Sequence, residues 1–249
     1  MSAGYKVVIP ARYASTRLPG KPLLDIQGQP MIWHTHQRAV ESGADEVVIA
    51  TDDQRIADAA LAFGATICMT ASGHESGTDR IAEVVRKLDW EAEDIVVNLQ
   101  GDEPLMPPGL LDQVAAALQA RPQASLSTLA VPLDQDQVFD SNAVKVVTDQ
   151  QGMALYFSRA PIPWKRGEFE QGKPDAKGML RHLGIYAYRA GFLNRYLDWA
   201  PAPIEQQESL EQLRVLWAGE RIAVEVAGQA PPAGVDSPQD YERLLAALS

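Results

Sequence analysis

The chain has 249 residues, 33 of them acidic and 22 Lys or Arg, for a formal charge of −11. That balance argues against a general nucleic-acid binder and against a partner of anionic membrane surfaces. At 46% hydrophobic and 22% charged, the composition is that of a folded globular protein, and the single Cys68 excludes an internal disulfide and a cysteine-based zinc site.

Short β-branched runs alternate with helix-period segments. The pattern predicts a strand over 6–10, a helix over 31–42, a strand over 46–50, a helix over 53–63 and a strand over 65–69. It continues with a helix over 78–88, a strand over 94–99, a helix over 108–120 and a strand over 125–131. Such alternation implies βαβ units, hence an α/β fold with a mostly parallel sheet covered by helices on both faces. Ligands of such sheets bind in the loops at the carboxyl ends of the strands. After Pro132 the rhythm breaks. Residues 133–203 are richer in aromatic, proline and basic residues and read as an elaboration on one domain spanning 1–249, supplying a second substrate.

The loop Gly167 to Gly178 is expected to be exposed and mobile. An amphipathic helix is predicted over 208–217, with Leu210, Leu213 and Trp217 on one face and Gly219 as its C-terminal cap. A strand over 221–226 and a helix from Ser237 to the end complete the pattern. The apolar run Val7-Val8-Ile9 is too short for a signal peptide, and no run reaches the roughly 18 residues of a membrane span, so the expected location is the cytoplasm.

Charge is unevenly spread. Residues 1–24 carry Lys6, Arg12, Arg17 and Lys21 and no acid, a net +4, while 158–196 carry a net +5. The other 186 residues therefore hold −20. An acidic protein with two basic islands is suited to small anions rather than to a polyanion.

The first island opens where the first strand ends, in Arg12-Tyr-Ala-Ser-Thr-Arg17-Leu-Pro-Gly20-Lys21. Three cations among small and hydroxyl residues suit a polyphosphate cradled by backbone N–H groups and fixed charge. The loop is not a Walker A motif, because Ser15 and Pro22 occupy the positions where that motif needs glycine and Ser or Thr. Ser76-Gly77-Thr78-Asp79-Arg80 precedes a helix, which Ser76 or Thr78 caps routinely. The same residues can also read a base, with Arg80 reaching a phosphate or sugar.

Gln100-Gly101-Asp102-Glu103 follows an apolar strand, so Asp102 lies at a carboxyl end. It is equally a turn residue or a ligand for magnesium, which takes one or two protein carboxylates. Further on, Ser237 is a natural N-cap, Pro238 takes the first helical position and Asp240 the third. That assignment leaves Asp236 with no part in the cap, as a candidate partner of Asp102 around one metal. Among the four histidines no helical metal pair appears, and His182, beside Arg181 in the second island, is the functional candidate. No G-x-S-x-G or G-x-G-x-x-G signature is present, which weighs against a hydrolase and a dinucleotide oxidoreductase.

Eight segments in order closely resemble the 3-deoxy-manno-octulosonate cytidylyltransferase family, the CMP-Kdo synthetases of lipopolysaccharide assembly. They are Val8 to Pro22, Ala50 to Asp53, Ser76 to Arg80, Asn98 to Pro104, Tyr156 to Arg159, Arg181 to Tyr186, Leu210 to Arg214 and Gly234 to Asp236. The resemblance implies a Rossmann-like three-layer nucleotidyltransferase fold with an inserted region for substrate binding and dimerisation. It implies transfer of a cytidylyl group from CTP to Kdo with Mg²⁺, giving CMP-Kdo and diphosphate, by a homodimer. By position it implies that Arg12 and Lys21 hold the triphosphate with Arg17 nearby, and that Ala11, Ser76, Gly77, Thr78, Arg80 and Gln100 bind the nucleotide. Asp102 and Asp236 would hold the metal; Gln100, Arg159, His182, Tyr186, Glu211 and Gln212 would bind the sugar acid. Asp102, Asp236, Lys21 and Arg12 would carry the catalysis. Two other readings stay open from sequence: transfer to a related acid, such as sialic acid or an 8-amino analogue of Kdo, and a non-catalytic nucleotide-binding module.

Overall fold

The structure is a computed structural model that describes residues 4–14, 18–74, 76–172 and 175–248. In chain order, β1 (Lys6–Ala11) leads through a turn to a small ribbon, β2 (Asp25–Ile26) and β3 (Gln29–Pro30), and to α1 (Met31–Val40). There follow β4 (Glu46–Thr51), α2 (Gln54–Ala62), β5 (Thr66–Met69), α3 (Gly77–Lys87), β6 (Ile95–Asn98), α4 (Pro108–Gln119) and β7 (Leu126–Pro132). The second half adds β8 (Lys145–Thr148), β9 (Ala154–Ser158), β10 (Leu180–Arg189), α5 (Ala190–Tyr196), α6 (Pro203–Glu208), α7 (Gln212–Trp217), β11 (Ile222–Val226) and α8 (Pro238–Ala247).

The main sheet runs β11-β7-β10-β6-β1-β4-β5. Strands β5, β4, β1 and β6 run parallel to one another, and β11 is parallel to β7. The long β10 enters between β6 and β7 antiparallel to both, so the α/β sheet is mixed with a parallel heart. Val7, Val8 and Ile9 are fully buried, as a parallel strand covered on both faces requires. Because β1 has β4 on one side and β6 on the other, the chain switches direction across the sheet there. The carboxyl ends of these three strands thus open the crevice where an α/β sheet binds ligands.

Residues after Pro132 extend this sheet: β8 pairs with the start of β10, and β9 pairs with β8. The described residues of the loop over 167–178 are exposed as expected except Phe169 and Ala176, which bury with Leu133, Val138 and Met179 in a small core of their own. The single helix expected over 208–217 is corrected. Ser209 adopts a left-handed φ of 51°, which ends α6 and starts a new turn before α7. Leu210 and Leu213 are buried as expected, but Trp217, the last residue of α7, is 61% exposed. Gly219 does take the left-handed conformation after α7.

One buried charge was not anticipated. Lys145 is fully buried on β8, and its ammonium donates to Asp140 O at 2.8 Å, Ala143 O at 2.7 Å and Arg159 O at 2.8 Å. Burial holds its pKa below the ordinary lysine range. Three carbonyl dipoles replace water around the cation and tie the 140–143 turn to the end of β9. Lys145→Met should therefore destabilise the fold by about 3 kcal/mol, since three acceptors lose their donor. Urea unfolding with an unchanged m-value and midpoint in the variant would refute this role.

Candidate active site

The loop after β1 returns on itself through local contacts. Gly20 N donates to Tyr13 O at 3.0 Å, and Gly20 has a φ of 69°, with the Tyr13 ring 3.1 Å from where a Cβ would sit. The Arg55 guanidinium carbon stacks 3.4 Å above that ring, and Asp53 holds Arg55 in turn. The turn delivers Lys21 back to the end of β1. From the other side, the chain leaving β6 passes so close to β1 that a Cβ on Gly101 would lie 3.0 Å from Pro10 O. This close approach brings Asp102 to the same place. Val235 N then donates to Asp102 O at 2.9 Å, which lays the loop before α8 over Asp102.

Three charged groups meet there. Lys21 Nζ lies 2.5 Å from Asp102 Oδ2 and 3.2 Å from Asp236 Oδ1. The helix start after Asp236 is satisfied without its carboxylate: Ser237 and Asp240 form the capping box, and Pro238 takes the first turn. Neighbouring Glu103 is pushed up to about 8, first by burial and then by the charges of Asp102 and Asp236. The site is thus a focus of negative potential that draws a cation. Arg12, Ala11 and Gln100 line the same cavity of about 270 Å³.

A second cavity adjoins it, lined by Ala11, Arg12, Ser76, Gly77, Arg80 and Gln100, together with His74 and Glu211. The Ser76 hydroxyl accepts from Asp79 N and the Ser76 N–H donates to Asp79 Oδ2, both at 3.1 Å, so the two residues cap α3. Arg80 is 4% exposed; its Nη2 lies 3.1 Å from Asp52 Oδ1 and its Nη1 donates to Thr70 Oγ1. Its charge is therefore largely balanced by Asp52, at the end of β4, which the sequence motif contained without a role. His74, set aside in the sequence because it lacks a metal-binding partner, pairs with Glu83. The signal that could have found it is its loop, which follows the carboxyl end of β5.

Gln100 also lines an inner cavity of about 190 Å³ with Gly77, Thr78, Tyr186, Glu211 and Gln212. Thr78 Oγ1 donates to Glu211 Oε2 at 3.3 Å, and burial raises the Glu211 carboxyl above its ordinary range. Asn98, 3% exposed in the wall of this cavity, was missed as a separate site residue. Beyond Tyr186 and Gln212 lies an outer cavity with Arg181 and His182.

A break in register between Leu183 and Tyr186, where β10 crosses β7, shapes this end. Thr128 Oγ1 lies 2.9 Å from Leu183 O, 2.7 Å from Ile185 O and 2.9 Å from His182 Nε2. A hydroxyl has one proton; given to a carbonyl, it leaves Oγ1 to accept from His182 Nε2–H, so Nδ1 is the acceptor of the ring. Burial, aided by Arg181, lowers the His182 pKa to about 3. The ring is neutral across the physiological range. Between its ordinary pKa of 6.5 and about 3, the unfolded chain takes up a proton that the folded protein excludes. Stability from this group is thus complete above pH 6.5 and is lost as the pH falls towards 3. His182→Gln should flatten that acid limb in denaturant midpoints taken from pH 7 to 4; an unaltered slope would refute the neutral ring.

The structure thus brings together every described candidate but one. Arg159 lines none of these cavities: its Nε donates to Glu208 O at 2.7 Å and its Nη1 to Ser141 O at 2.9 Å. Arg17 lies outside the described residues.

A parallel-hearted sheet with a cationic loop after β1 and paired carboxylates at its carboxyl edge defines a nucleotidyltransferase. The family described as Cytidylyltransferase matches residues 6–222. The chain belongs to that family, and within it to the 3-deoxy-manno-octulosonate cytidylyltransferases. It is 58% identical over 247 residues to a protein of that name from Aliivibrio fischeri (strain MJ11), covering 98% of this chain and 99% of the relative. It is 59% identical over 240 residues to one from Vibrio cholerae serotype O1 (strain M66-2), covering 96% and 95%. A solved CMP:2-keto-3-deoxy-manno-octonic acid synthetase complexed with CTP superimposes with a TM-score of 0.90 at 43% identity, covering 99% of this chain and 98% of that one. A 4-diphosphocytidyl-2C-methyl-D-erythritol synthase, at 16% identity and a TM-score of 0.64, shares the fold.

Proposed function

We propose that this protein transfers the cytidylyl group of CTP to 3-deoxy-manno-octulosonate and releases pyrophosphate. The observation that carries the reading is the meeting of Lys21, Asp102 and Asp236 at one mouth of a connected set of cavities deep enough for a nucleotide and a second substrate. The relatives named for this reaction support the choice of substrates.

In this reading the anomeric hydroxyl of the sugar acid attacks the α-phosphorus, and the bond to the β-phosphate breaks in line. That step needs positioning and charge neutralisation more than a covalent enzyme group. Arg12 and Lys21 hold the triphosphate, with Arg17 assigned beside them. Backbone groups of Ala11, Ser76 and Gly77 frame the cytidine, with Thr78 and Arg80 behind them. Gln100 stands between the two substrates, and Tyr186, His182, Glu211 and Gln212 receive the sugar acid. Arg159 acts from behind, holding the chain at Glu208 and Ser141.

The cofactor of this reading is Mg²⁺. No cluster of three or more His, Cys, Asp or Glu able to hold a metal occurs among the described residues. Asp102 and Asp236 already share one cation, Lys21. Two carboxylates fit Mg²⁺, which completes its shell with phosphate oxygens and water. Bound there, it would neutralise phosphate charge and acidify the attacking hydroxyl.

A homodimer, a cytoplasmic setting and a supply of activated sugar for lipopolysaccharide belong to the same reading. Exposed Phe139, Leu155 and Trp164 on the inserted region support the dimer. No helix among the described residues is long and apolar enough to cross a membrane. The decisive assay is pyrophosphate release from CTP, 3-deoxy-manno-octulosonate and Mg²⁺. Folded protein that releases none would overturn the proposed reaction.

A further inference from the structure

The connected cavities have an order. The one at Lys21, Asp102 and Asp236 shares Gln100 with the inner cavity; the inner one shares Tyr186 and Gln212 with the outer cavity, which has no residue in common with the first. This inference rests on the reaction proposed above. The reacting hydroxyl must then lie on the Gln100 side, near the phosphates. The carboxylate of a 2-keto sugar acid is carried by the same anomeric carbon, so it stays on that side too. The far end of the molecule, which bears only hydroxyls, is directed to the outer cavity.

That cavity, of about 300 Å³, is built for uncharged oxygen. Gln212 is 6% exposed and its Nε2 has no acceptor; Arg181 Nε is buried and likewise has none among the described residues. Both donors are closed to solvent as the structure stands, and their unmet cost is relieved when the side chains turn to meet ligand oxygens in the cavity. His182 is a neutral ring whose Nδ1 accepts. A hydroxyl serves both needs, as acceptor to the first pair and donor to the ring. No Asp or Glu among the described residues lines this cavity, so nothing within it offsets the charge of Arg181. Discrimination between ligands of equal size then depends on charge.

We propose that Arg181 is a specificity-determining residue of the second-substrate site. With Gln212 it receives the terminal hydroxyls of the sugar acid, and it rejects an analogue that carries an ammonium group in their place.

The test compares kcat/KM for 3-deoxy-manno-octulosonate with that for its analogue bearing a terminal amine, at pH 7 and saturating CTP. The wild-type enzyme is expected to favour the hydroxyl by about tenfold or more, the scale of a like-charge contact in a partly buried site. Arg181→Gln keeps an amide donor and removes the charge; the preference should fall to about threefold or less while KM for CTP stays unchanged. Arg181→Lys should retain the preference. A merely structural residue would lower both rates together and leave their ratio alone. An unchanged ratio in an active Arg181→Gln enzyme overturns the assignment, and so does a wild type without preference, even where the variant fails to fold. No turnover of either acid by folded wild type overturns the reaction itself and the assignment with it.

Discussion

Asp102→Asn is expected to lower turnover roughly 10²-fold or more, with a much smaller change in nucleotide binding. The substitution keeps size and hydrogen bonding but removes one of the two charges that meet at Lys21. The fold around the position should hold, because its main-chain support is independent of the carboxylate: Val235 N donates to Asp102 O, and Gly101 packs on Pro10. Removing the charge also relieves Glu103, whose raised pKa depends partly on Asp102. Steady-state rates at saturating CTP, sugar acid and Mg²⁺ provide the check. Near-wild-type turnover would remove Asp102 from its role.

Lys21→Met should be at least as damaging, cutting kcat/KM for CTP by about 10²- to 10³-fold. The lysine is mostly buried at the mouth of the phosphate cavity and is the cation between the two carboxylates. Without it Asp102 and Asp236 repel each other, and the triphosphate loses a fixed point charge. Arginine at this position should restore only part of the loss, because a planar fork does not reproduce a compact ammonium. The residues act as one network, so the double variant Lys21→Met/Asp102→Asn should lose less than the product of the single losses. Strictly multiplicative losses would refute the shared site.

Much of the parallel half of the fold was legible because its signals are local. Strand and helix periods placed the main elements from β1 to β7 within a residue or two of where they lie, but not the short ribbon of β2 and β3. The cap at Ser237 was legible for the same reason, since it needs only a neighbour three residues away, while at α3 the structure chose Ser76 over Thr78. The argument that singled out Asp236 was local as well: the cap was complete without it. The break at Ser209 was not legible, since Leu210 and Leu213 fit a helical face whether or not the chain turns before them.

Other features depended on partners distant in sequence. Lys145 sits in an apolar run, and nothing nearby announces the three carbonyls that accept from it. Arg80 lies in the first turn of α3, yet its charge is balanced by Asp52, just past the end of β4. Arg159 carries a charge that suits a carboxylate, but the ends of α6 and the 140–143 turn take up its donors.

By itself the sequence determined the α/β class, the phosphate-suited loop after β1, the acids at the strand ends and the family, because each follows from residue type and short spacing. Only the tertiary structure decided which charges meet. Lys21, Asp102 and Asp236 converge because Gly101 permits two strand ends to touch and the loop before α8 hydrogen-bonds across them. Charge acts through distance and burial, and both are set by how strands and loops pack rather than by the order of residues along the chain.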